Sequence, residues 1–379
     1  MDLKLNDEQL ELRAMARSFL EEHSGSEQVR AAMESELGYD EKVWEQVATE
    51  LGWAAIHIPE EFGGLGLEYA DLVALVEVMG GSLFCSPFFG SVVLGANALL
   101  VGGSDEQKQA WLPGIAEGTT RATLAFAEAN GRAGADGIEA TFTPDGDGFV
   151  LSGVKRYVVD GHFADLLVVA ARAEGTSGNE GIGLFLVPGD AAGLSRSALP
   201  TLDQTRRLAE VSLSTVHVPA SASLGTAGEA AQILDKTLQL ASIALAAEQV
   251  GGAERCLEMA VAYAKEREQF GRAIGSFQAI KHKCADMLVL VEAARSAVYY
   301  AACVATDDTD ELPAVASLAK AYCSDAYFQC AADSIQIHGG VGFTWEYDCH
   351  LHFKRAKSSE SLLGDPPHHR ELVARAIGL

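Results

Sequence analysis

The sequence predicts a helical domain, a β domain and a second helical domain, in that order along the chain. Three observations predict it: apolar residues recur at helical spacing near the N-terminus, alternate with polar residues in the middle, and return to helical spacing near the C-terminus. A chain of 379 residues is too long for one compact core and fits two or three domains. We place the domain boundaries at residues 1–118, 119–221 and 222–379.

The first domain is predicted to be helical from residue 7 to about residue 118. Asn6 and Asp7 supply a helix cap in front of a rough apolar stripe made of Leu10, Met15, Phe19 and Leu20. A glycine-rich segment at residues 59–66 interrupts the helices, and its glycines suit a backbone that turns sharply or closely approaches another group. By itself this segment indicates only a loop.

The middle domain shows the alternation that is typical of strands. Apolar residues alternate on both sides of a turn at residues 144–148, which predicts a β-hairpin. Further strands are predicted at residues 166–169, 181–187 and 211–218. Pro188 and Pro219 close the last two, because proline has no N–H to donate within a sheet.

The last domain is predicted to contain three long helices, at residues 229 to about 269, 277 to about 306 and 311 to about 338. Each is longer than the average helix of a globular protein. Their apolar faces are broad, which suggests packing in a helix bundle or contacts between subunits.

Composition and charge disfavour several classes of function. The formal net charge of -25, from 28 basic and 53 acidic residues, disfavours nucleic acid and anionic membranes as partners, because binding them requires a cationic face. We find no run of about 18 uninterrupted apolar residues, and the acidic start at residues 1–8 does not resemble a signal peptide. Seven cysteines without a C-x-x-C pair suggest reduced thiols and no zinc site. We therefore expect a cytoplasmic protein without a bound metal.

Three short motifs, combined with the order of the domains, indicate a family. They read PEEFGG at residues 59–64, REQFG at residues 267–271 and QIHGG at residues 336–340. Together they resemble the acyl-CoA dehydrogenase family over essentially the whole chain. The resemblance implies the acyl-CoA dehydrogenase fold, with a β-barrel-like middle domain and a C-terminal four-helix bundle. It also implies an FAD enzyme, commonly a tetramer, that removes α and β hydrogens from an acyl-CoA thioester and passes electrons to an electron-transfer flavoprotein.

The resemblance further implies that two protomers share each FAD. One protomer holds the flavin ring between its β domain and its C-terminal helices. A neighbour contributes an arginine and the glutamine-glycine segment to the pyrophosphate and adenosine. In this chain the cofactor-binding positions implied by the family motifs are Arg267, Gln269, Phe270, Gln278, Gln336, Ile337, Gly339 and Gly340.

The residue types at these positions suit that role. A guanidinium binds phosphate oxygens through two parallel hydrogen bonds, which a lysine cannot form, although sequence alone would make Arg267 one more solvated charge. Phe270 can pack on a flavin, and Gln278 can form hydrogen bonds to it. Gln336 precedes three glycines, more than the end of a helix requires, and exposed backbone N–H groups there suit an anion.

The β domain departs from the family pattern. Where the family usually has Thr-Glu-Pro-Gly-Ala-Gly-Ser-Asp, this chain reads AEANGRAG at residues 127–134, so Ala127 and Ala133 replace the Thr and the Ser. The family's Trp-Ile-Thr becomes Tyr157, Val158 and Val159, and Val159 has no hydroxyl to bond a flavin nitrogen. Each unpaired buried polar atom costs on the order of 1–3 kcal/mol, so these changes predict weaker binding of the flavin ring.

The catalytic carboxylate is missing from its usual position. Abstraction of an α proton requires a carboxylate of raised pKa in a dry pocket, but the family's Tyr-Glu-Gly corresponds to residues 362–364, with Leu363 in place of the glutamate. A second position that some branches use corresponds to Ala241. Glu248, two turns further along the same helix face, and Glu360 are the weak candidates for a relocated base.

Positions that serve the chain's own flavin ring and substrate are thus lost, while positions that serve a neighbour are kept. This pattern resembles the partner subunit of the α2β2 acyl-CoA dehydrogenases that degrade steroid side chains. We expect a subunit that completes FAD sites on a second acyl-CoA dehydrogenase-like chain. Two alternatives stay open: a homotetramer with Glu248 or Glu360 as base, and a catalytically silent scaffold that binds flavin or CoA. The sequence does not name the acyl chain, fatty or steroid.

Overall fold

The computed structural model describes residues 5–379; residues 1–4, on which part of the signal-peptide argument rests, lie outside the described residues. The N-terminal helices are α1 (Asp7–His23), α2 (Ser26–Glu34), α3 (Glu41–Glu45), α4 (Tyr69–Gly81), α5 (Asn97–Gly102) and α6 (Asp105–Ala116). The strands that follow are β1 (Ala122–Ala125), β2 (Thr141–Asp145), β3 (Gly148–Val159), β4 (Leu166–Ala173), β5 (Ile182–Pro188), β6 (Leu194–Ala198), β7 (Leu208–Pro219) and β8 (Ser223–Leu224). The C-terminal elements are α7 (Ala231–Glu266), β9 (Glu268–Gln269), β10 (Arg272–Ala273), α8 (Gln278–Asp307), α9 (Leu312–His338), α10 (Cys349–Ser361) and α11 (Pro366–Ala376). The predicted order of helical, β and helical parts is confirmed.

Strands β1 to β8 form one sheet in the order β6-β7-β3-β2-β4-β5-β8, with β1 paired to β4. The predicted hairpin is confirmed, since β2 and β3 are antiparallel and Asp145 pairs with Gly148 across the turn. Strands β5 and β7 end at Pro188 and Pro219, as predicted. Strands β1, β6 and β8 were not predicted; β1, for example, is buried at all four positions and so shows no alternation.

The described residues divide into two compact units. One unit contains the N-terminal residues up to Glu34, then Tyr69–Cys85 and Ser242–Leu379. The other contains Ser35–Glu68 and Ser86–Ala241, and it holds the sheet. The domain boundaries after residues 118 and 221 stay predictions.

The glycine-rich segment at residues 59–66 folds back on itself in the second unit. The N–H of Gly64 donates to the carbonyl of Pro59 at 3.1 Å, and the N–H of Gly66 donates to the carbonyl of Ile58 at 2.8 Å. A Cβ added to Gly64 would overlap the carbonyl group of Ile58. The close approach that calls for glycine here is therefore to the segment's own backbone.

In the first unit, the backbones of α4 and α7 are in direct contact. A Cβ added to Gly80 of α4 would overlap the carbonyl of Glu248, and one added to Gly251 of α7 would overlap the carbonyl of Glu77. Only glycine fits such a contact, because the packed interior leaves no room for another atom. This crossing fixes the position of Glu248, one of the candidate bases.

A buried carboxylate joins the N-terminal helices of the first unit to α8. Glu77 is 1% exposed and accepts hydrogen bonds from Arg13 at 2.6 and 3.1 Å, from Arg295 at 3.0 Å and from the hydroxyl of Tyr299 at 2.7 Å. Burial would raise the pKa of Glu77, but the two guanidinium groups outweigh it and lower that pKa below its usual value. The carboxylate is thus a structural anion and holds a proton poorly.

The three long C-terminal helices are confirmed as α7, α8 and α9, which begin and end within a few residues of the predicted positions. Among the described residues, α8 is the one helix that is long and apolar enough to cross a membrane by length and composition. This is weak evidence for a membrane span, because core helices of globular proteins pass the same test.

Candidate functional site

The REQFG motif forms a tight hairpin between α7 and α8. Strands β9 and β10 are antiparallel, with Gln269 opposite Arg272, and the turn consists of Phe270 and Gly271 at φ +56° and +77°. Two consecutive positive φ values are typical of a type I′ turn, in which a phenylalanine is strained. The Phe270 ring is 92% exposed. The strained turn thus presents a large apolar ring that a ligand or a second chain can cover.

Arg267 stands directly before this hairpin with a fixed backbone and an available side chain. Its N–H donates to the carbonyl of Tyr263 at 2.8 Å, and its carbonyl accepts from the N–H of Ile274 at 2.8 Å. The side chain is exposed, and within residues 5–379 its guanidinium has no ion pair or hydrogen bond. Arg272, by contrast, lies 4.1 Å above the ring of Phe277. Arg267 is therefore the guanidinium of this hairpin that is available to a phosphate.

The QIHGG motif ends α9 and exposes its glycines. Gly339 adopts φ +64° and ψ -142°, which a side chain would not allow, while a Cβ on Gly340 would meet no atom within 4 Å. Gln336 is exposed, whereas Ile337 is 5% exposed and packs in the core, so only the backbone of Ile337 can reach a ligand. Gln278, the first residue of α8, is also exposed.

A ring stack joins these two motifs, and sequence reasoning missed it. The imidazole of His338 lies on the ring of Tyr263 with centroids 4.3 Å apart, and its Nδ1 donates to the carbonyl of Ser334 at 2.7 Å. Tyr263 is one helical turn before Arg267, and His338 directly precedes Gly339. The stack therefore fixes the REQFG and QIHGG motifs relative to each other. A Tyr and a His 75 positions apart (338 − 263) give no signal of contact in one sequence.

The β-domain loop at residues 127–134 is held by a buried ion pair and backbone hydrogen bonds, although Ala127 and Ala133 replace the hydroxyl residues of the family pattern. One carboxylate oxygen of Glu128 accepts from the N–H groups of Glu139 and Ala140, both at 2.9 Å, and from Nζ of Lys155 at 2.5 Å. Lys155 is fully buried, and burial lowers its pKa to about 8. Sequence reasoning did not single out this pair, which crosses from the loop to β3.

The side chains that would bind a flavin ring in this unit are apolar or point to solvent. Val159 is 2% exposed and has no hydroxyl, and Ala127 and Ala133 likewise offer no polar side-chain atom. Tyr157 is 45% exposed and adopts φ +60°. At positions 127, 133 and 159 the second unit therefore offers no hydroxyl group that could bond a flavin.

Leu363 is held in a strained turn between α10 and α11. It is 6% exposed and adopts φ +64°, and its carbonyl accepts from Nε2 of His369 at 3.1 Å. The side chain has no group that can accept a proton.

The two candidate bases are each bound to a cation. Glu248 is 7% exposed and accepts from Arg355 at 3.1 Å, and Arg355 is itself 3% exposed. Glu360 accepts from Lys357 at 3.0 and 3.1 Å. Both carboxylates thus lie in ion pairs, and neither lies in a pocket without a neighbouring cation.

No group of three or more His, Cys, Asp or Glu side chains in the part of the chain that the structure describes is arranged to hold a metal ion. All seven cysteines are free thiols. Burial raises the pKa of Cys256, Cys323 and Cys330, which keeps these thiols protonated.

The residues present fit one half of an FAD better than the other. Arg267, Gln336 and the open backbone at Gly340 suit a pyrophosphate and its adenosine. Val159 and Ala127 do not supply the hydroxyls that a flavin ring would need.

Comparison with known proteins identifies the family of the chain. Three family models match the chain: acyl-CoA dehydrogenase, N-terminal domain, at residues 6–119; middle domain, at residues 123–216; and C-terminal domain, at residues 230–378. The chain is 35% identical over 362 residues to acyl-CoA dehydrogenase IpdE2 of Mycolicibacterium smegmatis, and the match covers 96% of each chain.

Solved structures show the same likeness. Butyryl-CoA dehydrogenase from Megasphaera elsdenii superposes with a TM-score of 0.92 at 28% identity, covering 100% of both chains. A chain of the ChsE4-ChsE5 complex from Mycobacterium tuberculosis superposes with a TM-score of 0.90 at 27% identity, covering 100% of this chain and 99% of that one. The protein therefore belongs to the acyl-CoA dehydrogenase family, the FAD-dependent oxidoreductases that act on acyl-CoA thioesters.

Proposed function

We propose that this chain is the non-catalytic subunit of an α2β2 acyl-CoA dehydrogenase. It supplies Arg267, Gln336, Gly339 and Gly340 to the pyrophosphate and adenosine of an FAD whose flavin ring and catalytic base belong to a second acyl-CoA dehydrogenase-like chain. The contrast between an exposed, unpaired Arg267 and a leucine at position 363 carries this proposal.

The pyrophosphate half of an FAD site and the reacting half require different groups from the protein. A pyrophosphate needs donors: the guanidinium of Arg267 can bind two of its oxygens, and the backbone at Gly340 leaves space for close approach. Abstraction of the α proton needs a carboxylate. FAD, when bound, supplies the acceptor for the β hydride. This chain has the donors and lacks the carboxylate.

A relocated base is the alternative that the geometry supports less. A proton taken up by Glu248 would break its ion pair with the buried Arg355. Glu360 has a similar conflict with Lys357, although that pair is more exposed and correspondingly weaker. A homotetramer that uses either residue as base is therefore disfavoured.

The similarity to the ChsE4-ChsE5 complex gives independent support, since that structure contains two differently named chains. We further propose that electrons pass to an electron-transfer flavoprotein, as the family resemblance implies. The thioester is an acyl-CoA whose acyl group, fatty or steroid, is bound mainly by the catalytic partner. A cytoplasmic location is consistent with seven free thiols.

Co-expression with any acyl-CoA dehydrogenase homologue that is encoded beside this chain tests the proposal. The chain is purified alone and with that homologue, and FAD content and acyl-CoA-dependent dye reduction are measured for both preparations. We expect little flavin and no turnover for the chain alone, and flavin with turnover for the complex. A yellow, active homomer would contradict the proposal, and a flavin-containing complex without turnover would favour the scaffold.

Arg267→Ala in this chain tests the half-site within that complex. Loss of a charged hydrogen-bond donor weakens binding by roughly 1.5–3 kcal/mol, so FAD affinity should fall roughly 10- to 100-fold. Lys265→Ala removes an equal charge two residues away and serves as the control, with FAD affinity expected to stay near that of the unmodified complex. Equal effects of the two substitutions would show that only net charge matters here.

A further inference from the structure

A buried lysine holds the turn that carries Leu363, and the proposed function does not use it. Lys320 of α9 is 0% exposed. Its Nζ lies 3.0 Å from Oγ of Ser324, 3.2 Å from the carbonyl oxygen of Glu360 and 3.1 Å from the carbonyl oxygen of Gly364. An ammonium group has three N–H donors and no acceptor. Three acceptors therefore match its three protons, and two of them are the carbonyls that flank Leu363.

His369 of α11 binds the third carbonyl of the same turn. Its Nε2 lies 3.1 Å from the carbonyl oxygen of Leu363, and its Nδ1 has no partner among the described residues. Because a carbonyl only accepts, Nε2 carries the proton. Burial lowers the pKa of His369 to about 3, so this ring is neutral near neutral pH.

These contacts maintain a strained backbone. Leu363 at φ +64° costs roughly 1–2 kcal/mol relative to an ordinary conformation, and such strain persists only where the surroundings fix it. Hydrogen bonds from Lys320 and His369 to the carbonyls of residues 360, 363 and 364 provide that fixation.

We propose that Lys320 is a positioning residue whose proton sets the rigidity of the turn at residues 360–364. With the proton, all three acceptors are satisfied. Without it, the amine still has two N–H donors for the carbonyls of Glu360 and Gly364, and its lone pair can accept from the hydroxyl of Ser324, but the hydrogen bonds to the turn lose the charge that strengthens them. All the atoms involved belong to this chain, so the inference does not rest on the proposed function.

The surroundings of Lys320 lower its pKa, so that its ammonium group loses a proton near neutral pH. Burial is the largest influence and lowers its pKa to about 7, and the charges around it oppose that shift only in part. The groups that face it are Cys323 and Asp325 of α9, Glu360 of α10, Asp365 and His369 beside and within α11, and Gln249 of α7, which is bonded to Ser324.

The acidic neighbours of Lys320 each have a hydrogen-bond partner of their own. Glu360 pairs with Lys357, Asp325 pairs with Arg370, and Asp365 caps α11 by accepting from the N–H of His368 at 2.9 Å. Burial raises the pKa of Cys323, so its thiol is neutral. Within this cluster, burial brings the pKa of Lys320 to about 7.

Hydrogen exchange of the full chain tests the inference. Protection of peptides covering residues 358–366 is measured from about pH 6 to about pH 8 and corrected for intrinsic exchange rates. We expect protection to fall roughly fivefold as the pH rises, because the hydrogen bonds from Lys320 to the carbonyls of Glu360 and Gly364 are weaker from a neutral amine than from an ammonium. In Lys320→Met, the amides of residues 358–366 should be weakly protected from exchange at about pH 6 and at about pH 8 alike. Lys283→Met, which removes an ammonium of α8 that is bound to Asp333 of α9, should behave like the unmodified chain.

Ser324→Ala keeps the inference testable if Lys320→Met does not fold. Removal of one of the three acceptors disfavours the ammonium form, so the midpoint of the change should move to lower pH by about one unit. Protection that does not depend on pH in the unmodified chain, or an unmoved midpoint in Ser324→Ala, would overturn the inference.

Discussion

The ring of His338 stacks on the ring of Tyr263 at a centroid distance of 4.3 Å and an interplanar angle of 24°. This contact joins the last turns of α7 and α9, so it sets the position of Arg267 relative to Gly339. Neither ring needs to touch a cofactor in order to matter for its binding. The stack is a support for two motifs that are otherwise far apart in the sequence.

Tyr263→Ala should therefore weaken FAD binding by the complex without removing any ligand of the cofactor. An aromatic pair contributes about 0.5–1.5 kcal/mol beyond burial, which corresponds to roughly a 2- to 10-fold loss of affinity. Tyr263→Phe keeps the stack and should bind FAD normally. Fluorescence titration of the apo complex with FAD measures both variants. The idea fails if phenylalanine and alanine at position 263 have the same effect.

His352 should make the chain sensitive to acid. Burial lowers its pKa to about 3, whereas an unfolded histidine titrates near 6.5, so the unfolded chain binds more protons between these values. Stability is thus fully present above about pH 6.5 and falls as the pH drops toward 3. From about pH 7 to about pH 5, His352 should account for a loss of roughly 2 kcal/mol in the free energy of unfolding. Urea unfolding at both pH values measures it.

His352→Gln is the matched variant, because its amide can still bond the hydroxyl of Tyr327, which lies 2.9 Å from Nδ1 of His352. The variant should lose roughly 2 kcal/mol less than the unmodified chain over the same pH range. Equal losses in the two proteins would assign the acid sensitivity to other groups, such as the buried His57 and His369.

Glu248→Gln distinguishes a structural carboxylate from a base. Its removal leaves Arg355, which is 3% exposed, as a buried cation, and breaking such a pair costs about 3–5 kcal/mol. The double substitution Glu248→Leu with Arg355→Met should be less destabilising than either single substitution. Turnover of the assembled complex should stay within about twofold for any of these variants that folds and binds FAD, since another chain supplies the base. A loss of turnover with normal folding and normal FAD content would restore Glu248 as the base.

The long helices and the β2–β3 hairpin could be predicted because their signals are local. Turn residues at 144–148 and apolar periodicity in α7 to α9 lie within one stretch of sequence. Strand β1 gave no such signal, since a short, fully buried strand lacks alternation. The motifs singled out Arg267 and Gly339 in the sequence. They gave no signal for the Tyr263–His338 stack or for the hydrogen bonds of Lys320, because these residues come together only when the helices pack.

Lys155→Met tests whether the ion pair between Lys155 and Glu128 stabilises the β-domain loop. The substitution leaves Glu128 buried with two backbone N–H donors and no cation, and the loss of one partner of such a pair costs about 3–5 kcal/mol. Denaturant unfolding should show this loss, and hydrogen exchange should rise first at Glu139 and Ala140, because their N–H groups donate to Glu128. Glu128→Gln combined with Lys155→Met should recover part of the stability, since an amide oxygen accepts the same two N–H groups without a buried charge. If the double variant were as unstable as the sum of the single variants, the pair would not be coupled. The loop would then owe its shape to its other contacts.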